Sequence, residues 1–503
     1  MRREIYSNNW DSMSFEEQRE YRNQKLSHFI RTQLYPYSPF YRRVFDENGI
    51  KPEQIRRVED LRRIPFTYKA DIAPTPENPM RYKDFVLQPD EESMSKYLPK
   101  AEYRKMRLER FLKGEKTFRK ALHRNFAPVH MQFTTGTTGL PTPIIYAADD
   151  VERMIEAGRR IIQLVGYGDI DRRVGSLVVN VMPFAPHLGF WMVSYMLERA
   201  GILSFNTGGG RILGTERIIA AIEMLRATGI VGMPGYVYHL LRTATEEERD
   251  FSSVRLVLVA GERIPYGMKE KIRQFLETMG AKDVSVLGAL GFTEARKAYS
   301  ECSPEGNTGY HIFPDMDYFE IVDPQTEEPV GEGEDGELVY TCLEGQGTCV
   351  LRFRTGDFVR GGIVYEPCPS CGRKVPRLGS DIMRSGREKG FSLSKVKGTL
   401  VDLGSFGSVL NSNPRVVEWQ VEIRKAHDDP FDVDVVDVFV SPAEGTNLDD
   451  LREEIEDQIL KATDIKPNTI HFLPLKAIEE RLGSQGGMGG IKELRVVDKR
   501  PMG

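Results

Sequence analysis

Short apolar, β-branched runs alternate with stretches of helical spacing through the middle of the chain. Residues 177–181 and 254–260 are almost wholly apolar, as strands buried on both faces should be; 230–233 and 284–287 are shorter runs of the same kind. Between them, 216–227, 236–244 and 266–279 place apolar residues every three or four positions, which predicts helices. A β-α-β-α alternation of this length predicts an α/β fold, a mostly parallel sheet covered by helices.

The flanks read differently. Residues 14–35 predict a helix, 39–64 carry turn signals and short helices, and 90–126 are highly charged and helical in pattern. Basic runs such as 104–110 read as solvated helix faces. In 310–385 the segments 318–322, 336–342 and 349–354 are short strands between Gly- and Pro-containing turns, which predicts a β subdomain. After about residue 390 come strands at 417–425, 433–440 and 470–473. A helix at 448–462, with Thr446 or Asn447 as its cap, completes a small α+β domain.

Composition narrows the class. At 503 residues the chain exceeds what one core usually serves, so at least two domains are expected. The net charge of −5 does not point to nucleic acid as a partner. No apolar run approaches the ~20 residues that span a bilayer, and MRREIYSNNW lacks the apolar stretch of a signal peptide. A cytoplasmic protein with no membrane partner is therefore expected. Five cysteines do not make a disulfide framework, and Cys368-Pro-Ser-Cys371 has the spacing of a metal knuckle.

The strongest chemical signal is Thr134-Thr135-Gly136-Thr137-Thr138-Gly139-Leu140-Pro141-Thr142. Two glycines allow close backbone approach, and hydroxyls with free N–H groups can hold phosphate oxygens. No Gly-Lys-Ser/Thr ending is present, so it is not a Walker loop. With these residues the chain resembles the adenylate-forming superfamily of acyl- and aryl-CoA synthetases, and more narrowly its phenylacetate–CoA ligase and coenzyme F390 synthetase-like branch. The likeness begins at Pro39-Phe40-Tyr41-Arg42, Asp60-Leu61 and Ile64-Pro65-Phe66 and runs to the C-terminus. It is weakest over about 75–126. Thr142, where much of the superfamily has Lys, is shared with this branch.

The resemblance implies roles for later motifs. In Gly291-Phe292-Thr293-Glu294, Thr293 would help hold the α-phosphate, as would Thr137, and Glu294 would hold Mg²⁺ against the phosphates of ATP. Ala260-Gly261-Glu262 would lie along the adenine. In Arg354-Thr355-Gly356-Asp357 the acceptor-only carboxylate of Asp357 would take both ribose hydroxyls. Arg387, near the ribose or phosphate, would mark the hinge between a large domain, 1–388 with its 310–385 β subdomain, and a small mobile domain, 389–503. Glu388-Lys389 departs from the family's usual Asp there. Lys492, or failing that Lys499, would bridge the attacking carboxylate and the α-phosphate from a stretch, 483–490, that holds five glycines. Phe184, His187, Tyr236 and Ala289 fall on segments that line the acid pocket in relatives.

Cys302 and His311, in a Glu-Cys…Gly-x-His segment that the branch shares, are expected to complete a structural zinc site with Cys368 and Cys371. The implied function is ATP-dependent activation of a carboxylic acid, aromatic on this reading, with transfer to coenzyme A. Transfer to a carrier-protein thiol or an amine is the alternative, and a nucleotide-binding protein without turnover ranks last. The branch also implies that a homodimer can form.

Overall fold

The computed structural model describes residues 9–134, 142–167, 176–261, 264–303, 308–384, 393–396, 399–426, 434–463, 465–484 and 495–500. The chain divides into two compact units. The first comprises Met1–Met233, Asp250–Gly261 and Ala281–Ile382; the second comprises Pro234–Arg249, Glu262–Gly280 and Met383–Gly503.

In the first unit a run of helical segments from Phe15 to Phe126 precedes an antiparallel hairpin of β1 (Pro128–Thr134) and β2 (Thr142–Ala147). A nine-stranded sheet follows. Its parallel part holds β3 (Leu177–Asn180), β4 (Leu203–Asn206), β5 (Gly229–Gly232), β6 (Leu256–Ala260) and β7 (Ser285–Phe292), in spatial order 4-3-5-6-7. The alternation legible in the sequence is therefore present, with boundaries shifted by a few residues. The order reverses around β3, and such a sheet opens a crevice at its strand C-termini. Beyond β7 the sheet turns antiparallel through β8 (Lys297–Ser300) and β9 (Tyr310–His311).

The strand-rich stretch after residue 310 is shared between two sheets. β10 (Asp317–Val322), β11 (Gly336–Cys342) and β12 (Phe353–Arg360) form an antiparallel meander. By contrast β13 (Ile363–Val364) and β14 (Arg377–Leu378) extend the nine-stranded sheet through β9. The expected strand at 349–354 begins instead at Phe353. Residues 349–352 spend their amides elsewhere in place of a ladder: Cys349 N donates to Phe85 O at 3.0 Å, Leu351 N to the Tyr41 hydroxyl at 2.6 Å and Arg352 N to Thr341 Oγ1 at 2.9 Å. Buried Asp317 ties the two sheets together. It accepts from the Tyr299 and Tyr340 hydroxyls, each at 2.7 Å, and pairs with Lys297 at 3.0 Å.

In the second unit Val416–Lys425 and Asp434–Pro442 pair antiparallel, with Thr469–Phe472 and Val496–Asp498 added parallel on either side. Helix Leu448–Thr463 packs Leu451, Ile455 and Ile459 into that core. Its cap is Asn447, whose side-chain oxygen accepts from Asp449 N at 3.1 Å. Helices Pro234–Glu246 and Tyr266–Thr278 belong to the same unit: Arg242 pairs with buried Glu418 at 3.3 Å, and Lys271 Nζ donates to Val416 O at 2.7 Å. Among the described residues no helix is long and apolar enough to cross a membrane.

Candidate functional site

The Thr-rich loop leaves β1 at Thr134 and returns at Thr142, residues that face each other across the hairpin. Both side chains are buried, and neither hydroxyl has a hydrogen-bond partner among the described residues. Two uncompensated hydroxyls at the mouth of one loop are costly unless a ligand or the loop itself satisfies them, which suits a phosphate cradle. Thr135, Gly136, Thr137, Thr138 and Gly139 lie outside the described residues, as do Glu262, Arg387 and Lys492.

Glu294 is buried in the four-residue turn Thr293–Arg296 that joins β7 to β8. Two backbone hydrogen bonds close the turn, Ala295 N to Phe292 O at 3.2 Å and Arg296 N to Thr293 O at 3.0 Å. Arg296 adopts φ +61°, a left-handed conformation that costs a non-glycine residue free energy. Upstream, Ala289 faces Ala260 in parallel register, so Gly261 leaves β6 beside Leu290 and Gly291 of β7. Gly261 takes φ +94°, which an L side chain rarely adopts. A Cβ at Gly291 would lie 3.1 Å from the Ala298 methyl.

Asp357 is positioned by a bulge. The β11–β12 register slips between Glu337 and Val339, and Gly356 at φ +73° supplies the irregular backbone. Thr355 Oγ1 donates to Leu338 O at 3.0 Å and accepts from Asp357 N at 3.1 Å. Before the bulge, buried Arg354 is held by both oxygens of Glu337.

A group that sequence reasoning missed links these pieces. Asp150 is the N3 residue of helix Ala148–Leu164, and its carboxylate reaches back to the N-cap amide, Ala147 N, at 2.9 Å. It also accepts from Gly347 N at 2.6 Å and from Arg153 at 2.9 Å, and meets the Arg296 guanidinium at 2.8 Å. One carboxylate thus joins the strand leaving the Thr-rich loop, the turn carrying Glu294, and the segment leading to β12. Burial alone would raise its pKa; Arg296, Arg153 and the backbone donors outweigh that and hold it below the ordinary value. Gly347 is needed there, since a Cβ would sit 2.1 Å from Ile145 O. The only sequence signal was a capping-type Asp at a helix start.

Phe184, Phe190 and Trp191 form an aromatic cluster, edge-to-face for Phe184–Phe190 with ring centroids 5.1 Å apart and tilted for Phe184–Trp191 at 5.9 Å. Phe184 is 58% exposed despite these neighbours. Trp191 leads on to His130, 5.4 Å away on β1, and His130 to Tyr146 on β2, also at 5.4 Å. Burial lowers the His130 pKa. His187 caps helix Leu188–Ala200 through its backbone and lies against Gly189. Tyr236 belongs to the second unit, its ring 6.5 Å from that of His239.

The four expected metal ligands converge. The donor atoms of Cys302, His311, Cys368 and Cys371 all lie within 4.8 Å of one another. Sheet pairing explains this: Ser300, two residues before Cys302, faces His311 across β8–β9, and His311 faces Arg377 of β14. The Cys368–Cys371 knuckle is a tight turn, with Gly372 N bonded to Cys368 O at 2.8 Å and Gly372 at φ +69°. The Cys302–Cys368 sulfurs are 3.6 Å apart, and Cys371 Sγ is 3.3 Å from His311 Nε2. Zn–S bonds of about 2.3 Å in a tetrahedron give edges of about 3.8 Å, so donor chemistry and spacing both fit zinc.

A parallel sheet with a Thr-rich hairpin loop, an acidic turn after β7 and an aspartate on a bulged strand is the architecture of an adenylate-forming enzyme. The family model for the AMP-binding enzyme matches residues 70–347, and the chain belongs to that family. Phenylacetate-coenzyme A ligase of Thermus thermophilus is 28% identical over 425 residues, 84% of this chain and 81% of its own. The Escherichia coli protein of the same description is 24% identical, covering 70% and 68%. The crystal structure of a 2-hydroxyisobutyryl-CoA ligase with an acyl-AMP shares the fold, with a TM-score of 0.76 at 21% identity over 98% of this chain and 92% of that one.

Proposed function

We propose that the protein activates a carboxylic acid with ATP and passes the acyl group to coenzyme A. The observation that carries this reading is the Asp150 link, which holds the Glu294 turn to the strand leaving the Thr-rich loop. Relatives described as phenylacetate-coenzyme A ligases support the same reading. In the first half-reaction a carboxylate oxygen attacks the α-phosphorus and pyrophosphate leaves. In the second a thiol attacks the acyl carbon and AMP leaves. Thr134, the loop 135–139 and Thr293 hold phosphate oxygens; Glu294 holds Mg²⁺, which neutralises phosphate charge when bound. By the family resemblance we assign Gly261 and Glu262 to the adenine, Asp357 to the ribose hydroxyls, and Arg387 to the ribose or phosphate. Lys492, in the small domain 389–503, bridges the carboxylate and the α-phosphate.

The Phe184–Phe190–Trp191 cluster favours a flat apolar acid, and we assign His187, Tyr236 and Ala289 to its recognition by resemblance to relatives. The Cys302, His311, Cys368 and Cys371 set holds a structural zinc: with four protein ligands no open position is left for substrate. Pyrophosphate release across aryl and short-chain acids, with and without coenzyme A, tests the reading. A thioester formed alongside pyrophosphate supports it. Pyrophosphate without a thioester would move the acceptor to a carrier protein or an amine. Lys492→Ala should abolish pyrophosphate release yet spare thioester formation from supplied acyl-AMP; equal loss of both would reject the assigned lysine.

A further inference from the structure

The helical pair Lys100–Lys113 and Glu115–Phe126, hinged at Gly114, takes no part in the site. Residues 100–126 carry ten Lys and Arg against three Glu, a surplus of seven positive charges in a chain whose net charge is −5. Two of those glutamates are already spent within the pair: Glu109 on Lys113, and Glu115 on Arg110 and Arg119.

Helical spacing sorts the two surfaces. Tyr103, Met106, Leu122 and Phe126 pack against the core of the first unit, and Phe118 is buried. Opposite them, Leu108, Phe111 and Leu112 fall at i, i+3 and i+4 and stand 58%, 83% and 72% exposed. Arg104 and Lys105 sit one turn before Leu108 on that face. On the second helix Lys116, Lys120 and Arg124 recur every fourth residue on its exposed side. None of these five cations has an ion-pair partner among the described residues.

We propose that this hairpin is a peripheral docking element for an anionic lipid surface, with Phe111 and Leu112 entering the headgroup boundary and the cations meeting lipid phosphates. An apolar stripe framed by Lys and Arg is the chemistry that membrane interfaces reward. Charge argues against a symmetric second copy, since two such hairpins face to face would bring seven surplus positive charges against seven. Absence of a spanning segment bears only on crossing the bilayer, not on lying upon it. The proposal does not depend on the catalytic reading: it uses none of the site residues.

The test is flotation of the full chain with phosphatidylcholine vesicles, alone or with about a third phosphatidylglycerol. Binding should require the anionic lipid and weaken as salt rises from about 0.1 M to about 0.5 M. Phe111→Ser with Leu112→Ser should lower the partition coefficient at least about tenfold. Replacing Lys116, Lys120 and Arg124 by Gln should lower it about fivefold per charge. These positions are exposed, and an unchanged melting curve checks that each variant folds. Equal binding to both vesicle types, or none to either, overturns the proposal. So does a dimer that Phe111→Ser converts to monomer without vesicle binding, or retention on DNA but not on lipid.

Discussion

Arg296 is the residue whose replacement most directly tests how Glu294 is held. Its guanidinium lies 2.8 Å from Asp150 Oδ1, both groups being buried. At an effective dielectric of about 20 that separation gives a gross attraction of about 6 kcal/mol. Holding a non-glycine residue at φ +61° costs about 1–3 kcal/mol, so the pair can retain the strained turn. Arg296→Met keeps the apolar stem and removes the charge. The Asp150 carboxylate then retains Arg153, and the turn relaxes toward ordinary backbone. Breaking a buried pair typically costs about 3–5 kcal/mol in stability. A shift of about 1 Å in Glu294 would slow acyl-adenylate formation about 100-fold.

The assay is single-turnover pyrophosphate release at saturating ATP, titrated with Mg²⁺, on protein checked for its melting transition. Arg296→Met should need more Mg²⁺ and react more slowly per folded molecule. Arg296→Lys should recover part of the rate. Arg296→Gly relieves the backbone strain without restoring the charge and should stay slow. In a double-mutant cycle with Asp150→Asn, the stability losses should fall short of additive by about 1–3 kcal/mol. A wild-type rate and Mg²⁺ dependence in Arg296→Met, at lowered stability, would refute the positioning role and leave the pair as a fold element only. Strict additivity would refute the coupling itself.

Glu344 should make the first unit acid-sensitive. Burial raises its pKa, but Lys25 at 2.7 Å and Arg153 at 3.4 Å outweigh that and bring it from 4.5 to about 2. A depressed carboxyl stabilises fully above the unfolded value and loses that contribution as pH falls from about 4.5 to about 2, about 3 kcal/mol in all. Glu344→Gln should therefore be less stable at neutral pH, with the gap closing by pH 2 in denaturation curves; a gap independent of pH would reject this. Metal analysis should find one zinc per chain, and Cys371→Ser should lose it and lower the melting temperature. Undiminished zinc in Cys371→Ser would reject the four-ligand site.

Much of this was legible because the informative signals are local. A buried parallel strand must be apolar throughout, so β3 and β6 stood out from their own residues. The Cys368–Cys371 spacing and the Glu-Cys…Gly-x-His segment led to four side chains that the sheet brings together. The assignment of strands after residue 310 to sheets was not legible. β9, β13 and β14 are two residues each, too short for any period, and only pairing through Ser300, His311 and Arg377 joins them to the large sheet. The Asp150 link was invisible for another reason: its partners Arg296 and Gly347 lie more than a hundred residues away, and no local pattern encodes such contacts.

That division has a chemical logic. Groups that touch phosphate, ribose or metal are constrained by the ligand's own geometry, so they come in recognisable spacings. The groups that hold them need only complement one another in charge, reach and burial. Asp150 works because a capping carboxylate at N3 already points back at the end of β2, within reach of whatever packs over the strand. Arg296 and the amide of Gly347 fill that space. An equivalent holder could be built from other residues on other elements. Substitutions at Asp150 and Arg296 should therefore compensate each other more readily than any change at Glu294 or Asp357, whose partners are not the protein's to alter.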